Sequence, residues 1–396
     1  MTEPASAKPR TWRPMAGWSL VVLCLAGLGM LATYVYHDIG RTRAVLRTEP
    51  VGSEKCAAAL EELGGPEKAV GRISLYLRMP RLTEDDIQYS FILLSHCRRP
   101  AVGLLARSLQ HGNSAVRDRA AWALGVIGPD AADAVPALAS ALADKDEAVG
   151  FQAANSLAAI GPGARAAVPA LTASLDRLCA RAAHALGHIG PDSAPAVPGL
   201  TKALASAAGD FREEAARALG SIGPTAKVAA PDLRKLLKDR LIEVRLAAAQ
   251  ALGELACLDA TGVEVLSTGL GYPEWEVRRD AARALREVGP AGKPAVPALE
   301  KALEDKHDAV RVAAAAALVR MGAASPAAKA TLIWGVRQGP FWYGVRPIAA
   351  SALGEMGPAA KDAIPDLERM LGEPPLPDQA VAAEALKKII GEEPPK

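Results

Sequence analysis

Between Ala115 and Ala143 the apolar positions change their period twice. Val116, Ala120, Leu124 and Ile127 fall at i, i+4, i+8 and i+11, which puts them on one face of a helix running through VRDRAAWALGVIG. Gly128-Pro129 closes that helix, because glycine relieves strain at a helix end and proline cannot continue one. A second helix opens at Pro136, where a missing N–H costs nothing. Leu138 and Leu142 give it an apolar stripe, and ADKDEA turns the chain into the next unit. The same phrase then recurs. Leu124, Leu157, Leu186, Leu219, Leu252, Leu285, Leu318, Leu353 and Leu386 each follow two alanines and usually precede a glycine. The spacing is 33 residues, except for 29 between Leu157 and Leu186 and 35 between Leu318 and Leu353. Gly-Pro returns at Gly161, Gly190, Gly223, Gly289 and Gly357, and the helix-opening proline at Pro169, Pro198, Pro231, Pro297 and Pro365. A fixed period of this length means stacked helix pairs, each burying its apolar face on its neighbours. The fold class expected is all-α, an α-α superhelix whose seam is the leucine column.

The Val-Arg opening of these helices, at Val244-Arg245, Val277-Arg278, Val310-Arg311 and Val345-Arg346, completes the pattern. Paired helices, Gly-Pro, a proline-led helix and Val-Arg together resemble HEAT repeats, in the short, alanine-rich form of the PBS-lyase-like group. The resemblance covers about Ser114 to Ile390. CAAALEELGGPEKAVGRISLYL keeps Ala-Ala-x-Leu-x-x-Leu-Gly, so residues 53–113 read as degenerate repeats ahead of the regular ones at 114–391. The resemblance implies that the Val-Arg helix lines the concave side and that its arginines (Arg117, Arg212, Arg245, Arg278, Arg311 and Arg346) form a structural ladder. Asp144, Asp146, Asp239, Asp305 and Asp308, in the turns preceding these helices, are the expected partners.

Around this frame other positions vary. Two residues before each leucine stand Trp122, Asn155, His184, Arg217, Gln250, Arg283, Ala316, Ser351 and Glu384; two after stand Val126, Ala159, His188, Ser221, Glu254, Glu287, Arg320 and Glu355. Such variation suits a recognition surface, and each position taken singly also suits plain solvation. The signs alternate, and the formal charge of the chain is only +2. A nucleic-acid groove would want a continuous basic stripe, so the expected partner is a protein or peptide. WGVRQGPFWYGVR gathers Trp334, Phe341, Trp342 and Tyr343 in a chain that is 4% aromatic. Aromatics and arginine dominate interface hot spots; a cluster packed under its own loop is the competing reading.

Catalytic chemistry is thin. His184 and His188 share a helix face, as a metal pair would, but the matching positions on adjacent units, Asn155, Ala159, Arg217 and Ser221, are poor ligands. No metal or cofactor is expected. HEAT-like iron hydroxylases use His-Glu pairs, and this chain has no His-Glu dipeptide. The five cysteines, at 24, 56, 97, 179 and 257, are scattered singly. No phosphate loop or nucleophile elbow occurs. The expectation is a non-catalytic interaction scaffold; the alternative is a lyase-like protein handling a tetrapyrrole or other cofactor.

Ahead of the repeats, residues 17–36 carry no charge, about the ~20 residues a helix needs to span ~30 Å of hydrocarbon. Trp12 and Trp18 stand near one end, Tyr34 and Tyr36 near the other, as interfacial rings do. These features predict a tail (1–16), a single transmembrane helix (17–36), a linker (37–52), the repeat domain (53–391) and a short tail (392–396). Lys8, Arg10 and Arg13 nearly balance Arg41, Arg43 and Arg47. The brevity of the first tail favours keeping it cytoplasmic, with the repeats on the non-cytoplasmic side. Secretion after signal cleavage is the alternative, though LATYVYHDIG offers no good small-residue site.

Overall fold

The computed structural model describes residues 65–76, 84–339, 344–372 and 376–391. The expected transmembrane helix, its flanking segments, residues 53–64 and the aromatics Phe341, Trp342 and Tyr343 lie outside the described residues. Among those that are described there is no strand, and no helix is long and apolar enough to cross a membrane.

By its contacts the chain divides into two units, residues 1–137 and 138–396. The first contains α1 (Pro66–Tyr76), α2 (Glu84–His96), α3 (Val102–Ser108) and α4 (Ser114–Ile127), and α5 (Val135–Ala141) begins in it. α2 and α3 both pack on α4, over a core of Ile73, Phe91, Leu94, Leu105 and Leu124, none of them exposed. The described part of the degenerate stretch, residues 65–76 and 84–113, is therefore helical; its Ala-Ala-x-Leu-x-x-Leu-Gly phrase, at 57–64, lies outside the described residues.

The second unit is a run of long-then-short helix pairs. These are α6 (Glu147–Ile160) with α7 (Val168–Ala173), α8 (Leu175–Ile189) with α9 (Val197–Ala203), and α10 (Gly209–Ile222) with α11 (Ala230–Leu236). They continue as α12 (Ile242–Glu254) with α13 (Ala260–Gly269), α14 (Trp275–Val288) with α15 (Val296–Ala302), α16 (Asp308–Arg320) with α17 (Pro326–Gln338), and α18 (Val345–Met356) with α19 (Ile364–Gly372). α20 (Leu376–Ile390) ends the series. Each long helix packs on the next, while most short helices pack chiefly on the long helix that follows. All nine seam leucines are fully buried.

The glycine after the leucine now has a reason. A methyl added at Gly187, Gly220 or Gly354 would lie 3.1, 3.0 and 2.9 Å from the Cα atoms of Ala218, Ala251 and Ala385 on the next long helix. Contacts that close to backbone leave no room for a side chain, so glycine here sets how near adjacent long helices come.

Gly-Pro does more than stop a helix. Each of these glycines takes a positive φ, between 58° at Gly357 and 80° at Gly223, which a side chain would resist. The proline then opens a 3-10 segment, Gly128–Ala134, Gly161–Ala167, Gly190–Ala196 and their later equivalents, whose inner alanines are buried. Sequence periodicity misses these segments, since about two turns of 3-10 helix have no legible apolar period. Where Gly-Pro is absent, a side-chain cap replaces it. Asp259 accepts from the Gly262 N–H (3.1 Å) and Ser325 from the Ala328 N–H (3.2 Å), and the following helices are longer, at 10 and 13 residues.

The arginine ladder is present, but for Arg212 and Arg278 the acidic partner comes from the turn beyond the following short helix, not from the turn before their own. Arg212 donates to Asp239 (2.8 and 2.9 Å) and Arg278 to Asp305 (2.6 and 2.9 Å), 27 residues onward in each case. The preceding turn supplies carbonyls instead: Nη1 of Arg212 donates to Ser206 and Ala207, and Nη1 of Arg278 to Tyr272 and Pro273. An arginine in the first helical turn is long enough to brace both sides, and five N–H groups allow it. Arg245 has Tyr272 Oη (3.3 Å) in the aspartate's place, and Arg311 bonds Asp308 on its own helix.

The short repeat is built by reversal. At the ladder position of α6 stands Gly150, and 27 residues onward, where an aspartate would be, stands Arg177. Arg177 reaches back to the Leu142 carbonyl (2.7 Å) and the Asp144 carbonyl, filling the space from the other side. The missing residues are those of the turn itself: only Ser174 separates α7 from α8, and the chain kinks at Cys179, with φ of 41°.

Candidate functional site

The two variable columns lie mostly along the open side of the long helices. Asn155, His184, Arg217, Gln250 and Ser351 are half-buried; His188, Ser221, Arg283, Glu287, Arg320 and Glu384 are exposed. Ala316 is the exception, fully buried. Trp122 is half-buried in the first unit. Trp334 holds an internal contact: the Arg311 guanidinium carbon stands 4.9 Å from its ring centroid. That contact favours the packing reading for Trp334.

Three successive long helices, α8, α10 and α12, line an open cavity of about 320 Å³. Its floor is Gly187 and Ala218, the pair whose closeness draws α8 onto α10. Its walls are His184, His188, Glu214, Arg217, Ser221 and Gln250. Five of these six wall residues are column positions. Glu214 is not; it lies three residues before Arg217, on the helical face the columns share, and a reading confined to two offsets from the leucine passes over it.

Glu214 organises the cluster. His184 Nδ1 stands 3.1 Å from Glu214 Oε2, and the His188 ring lies 4.3 Å from the His184 ring, tilted by 45°. Burial works to raise the Glu214 carboxyl, but the hydrogen bond with His184 and the charges of His184, Arg217 and His188 carry it below its ordinary value. Arg217 is held at 2.8 Å by Glu213, one turn back on α10. Among the described residues no group of three or more His, Cys, Asp or Glu is arranged to hold a metal ion. What the cavity offers is a rigid floor with hydrogen-bond donors and acceptors around it.

Next to the cavity sits a carboxylate in an unfavourable place. Glu254 is the last residue of α12, where the helix dipole disfavours an anion. Burial, and then the charge of Glu287, hold its carboxyl above the ordinary range, against the Gln250 hydrogen bond (2.8 Å) and Arg217. The fold therefore prefers Glu254 protonated and loses stability as pH rises from the unfolded value of about 4.3 through the raised one. Glu254→Gln keeps an acceptor for Gln250 and removes the charge. Its melting temperature should exceed that of the wild type near neutrality, with the gap closing below about pH 4; a wild type that melts higher at neutral pH would refute this.

Comparison with known proteins agrees with the repeat architecture. The sequence matches the family of HEAT repeats at residues 101–178, 177–253, 230–319, 263–343 and 296–387. No curated protein sequence matches it. Similar solved structures include a chain of the CpcE–CpcF complex of phycocyanin lyase from Nostoc sp., 24% identical, with 64% of this chain and 94% of that one covered and a TM-score of 0.46. Importin beta in an ammonium sulfate condition is 14% identical, with 95% of this chain and 60% of that one covered and a TM-score of 0.41.

Proposed function

The chain belongs to the HEAT-repeat family, and we propose that it works as an interaction scaffold, binding a protein or peptide segment along the concave, long-helix face of its second unit. The observation that carries this reading is the cavity across α8, α10 and α12, walled almost wholly by residues that vary within an otherwise repeated frame. Its floor is backbone and methyl, so the walls are held by helix packing and lose little freedom on binding. Alternating signs along the face (Arg217, Glu254, Arg283, Glu287) suit the mixed polarity of a peptide better than a polyanion. The uncharged run at 17–36 supports the further proposal that the scaffold is held at a membrane, with the repeats on the non-cytoplasmic side.

A photo-crosslinking amino acid placed at His188 or Ser221, both exposed in the groove, should trap a partner in the native membrane fraction. The same group at Val228, 74% exposed on a 3-10 segment, should trap none. With the partner so identified, the pair His184→Ala, Arg217→Ala should weaken binding by about tenfold or more, roughly 1.4 kcal/mol. Adducts from Val228 with none from the groove would overturn the assignment.

A further inference from the structure

In a stacked array each repeat touches only its neighbours. α14 and α18 are separated by α16, yet Arg286 Nη2 on α14 donates to Glu355 Oε1 on α18 at 2.8 Å and stands 3.3 Å from Ser351 Oγ. Arg320 of the intervening α16 adds its Nη1 at 3.7 Å from Glu355 Oε2. We infer that Arg286 and Glu355 form a strap across the groove, tying the repeat of α14 to the next but one, that of α18, and fixing how far this stretch opens.

Two local departures from the repeat make the strap possible. The residue after the seam leucine is glycine on α8, α10, α12 and α18, where it sets helix approach; on α14 it is Arg286. On α16 the groove positions that elsewhere carry Glu214 and Arg217 are Ala313 and Ala316. A side chain crossing α16 therefore passes methyl groups at these two positions, with Arg320 one turn further on. Both alanines are buried, at 2% and 0% exposure, so neither places a polar group in the path of the strap. The strap is itself largely out of water, with the Arg286 and Glu355 side chains 21% and 20% exposed. A charge-assisted bond in that setting is shorter, stronger and less screened by salt than a surface pair. Widening the groove here means breaking it, so the strap presets the curvature presented by α14, α16 and α18.

The strap concerns the array alone and is testable without any partner, so its outcome is separate from that of the scaffold reading. Spin labels attached through p-acetylphenylalanine at the exposed positions Glu276 on α14 and Glu384 on α20 leave the native cysteines untouched. Pulsed electron–electron resonance on the full-length protein should give one narrow distance distribution, the same at low and at molar salt. Glu355→Gln, close in shape and so the variant most apt to fold, should at least double the width of that distribution or move its mean outward, and Arg286→Ala should do the same. Arg320→Ala, which removes only the longer contact, should change it less. Distributions in Glu355→Gln that superimpose on the wild type would overturn the strap.

Discussion

Arg278→Ala lowers the stability of the repeat array by on the order of 3–5 kcal/mol. The guanidinium is buried, 7% exposed, and brings together four acceptors: both Asp305 oxygens and the Tyr272 and Pro273 carbonyls. Removing it leaves an enclosed carboxylate and two turn carbonyls with no donor from this side, and that loss exceeds the worth of the ion pair alone. The effect carries a pH signature. Burial opposes ionisation of Asp305, but the Arg278 hydrogen bonds, the His307 N–H and the nearby charges bring its carboxyl below the ordinary value. Asp239 is lowered in the same way by Arg212 and the Leu241 N–H. A depressed carboxyl contributes fully above the unfolded value of about 3.9 and loses that contribution as pH falls through the folded one. The wild type should therefore resist mild acid and unfold in a window below about pH 4, and Arg278→Ala should begin to unfold at higher pH. Equilibrium denaturation of both proteins at neutral and acid pH checks this. Equal midpoints at neutral pH would show that the ladder is dispensable.

Leu219→Ala should cost on the order of 2–5 kcal/mol. Leu219 lies in α10 with no exposed surface, and α10 packs between α8 and α12. The backbones around it are already drawn to contact by Gly187 against Ala218 and Gly220 against Ala251. The site therefore has little freedom to collapse into the space vacated, which places the expected cost toward the upper part of that range. Because α10 also supplies Glu214, Arg217 and Ser221, faster hydrogen exchange should appear first in α8, α10 and α12 and should loosen the cavity. A variant that melts with the wild type would mean that the seam is not the source of the array's stability.

The two changes test different levels of the same architecture. The leucine seam is read directly from the chain, because burial on one face of a 3.6-residue helix leaves a period that survives repetition. The Gly-Pro breaks and the proline-led helices are legible for the same reason: each is a local rule of backbone geometry. The ladder arginines were also visible, but their direction was not. Whether Arg278 finds its carboxylate in the turn before its helix or onward at Asp305 depends on which turn stacks beside it, and stacking is a non-local fact. Asp305, 27 residues away, is chosen by the rise from one helix pair to the next.

The candidate site divides similarly. Column offsets from Leu186 and Leu219 pick out His184, His188, Arg217 and Ser221, since a helix of known phase tells which residues share its face. Glu214 joins them only because α10 lies close enough to α8 for its carboxylate to meet His184, and that closeness is set by Gly187. Arg286 is the strongest case. Its sequence position is that of a spacing glycine, and nothing local says that its side chain crosses a whole repeat to Glu355.

From the chain alone come the helices, their pairing, the buried seam and the phase of the open face, because each follows from the order of apolar and backbone-breaking residues within one unit. The tertiary structure alone decided which groups from different units meet: Glu214 with His184, Arg177 in the space left by Gly150, Arg286 with Glu355. Those meetings depend on distances between helices, and such distances are set by packed volume across the stack, a quantity that no stretch of contiguous sequence encodes.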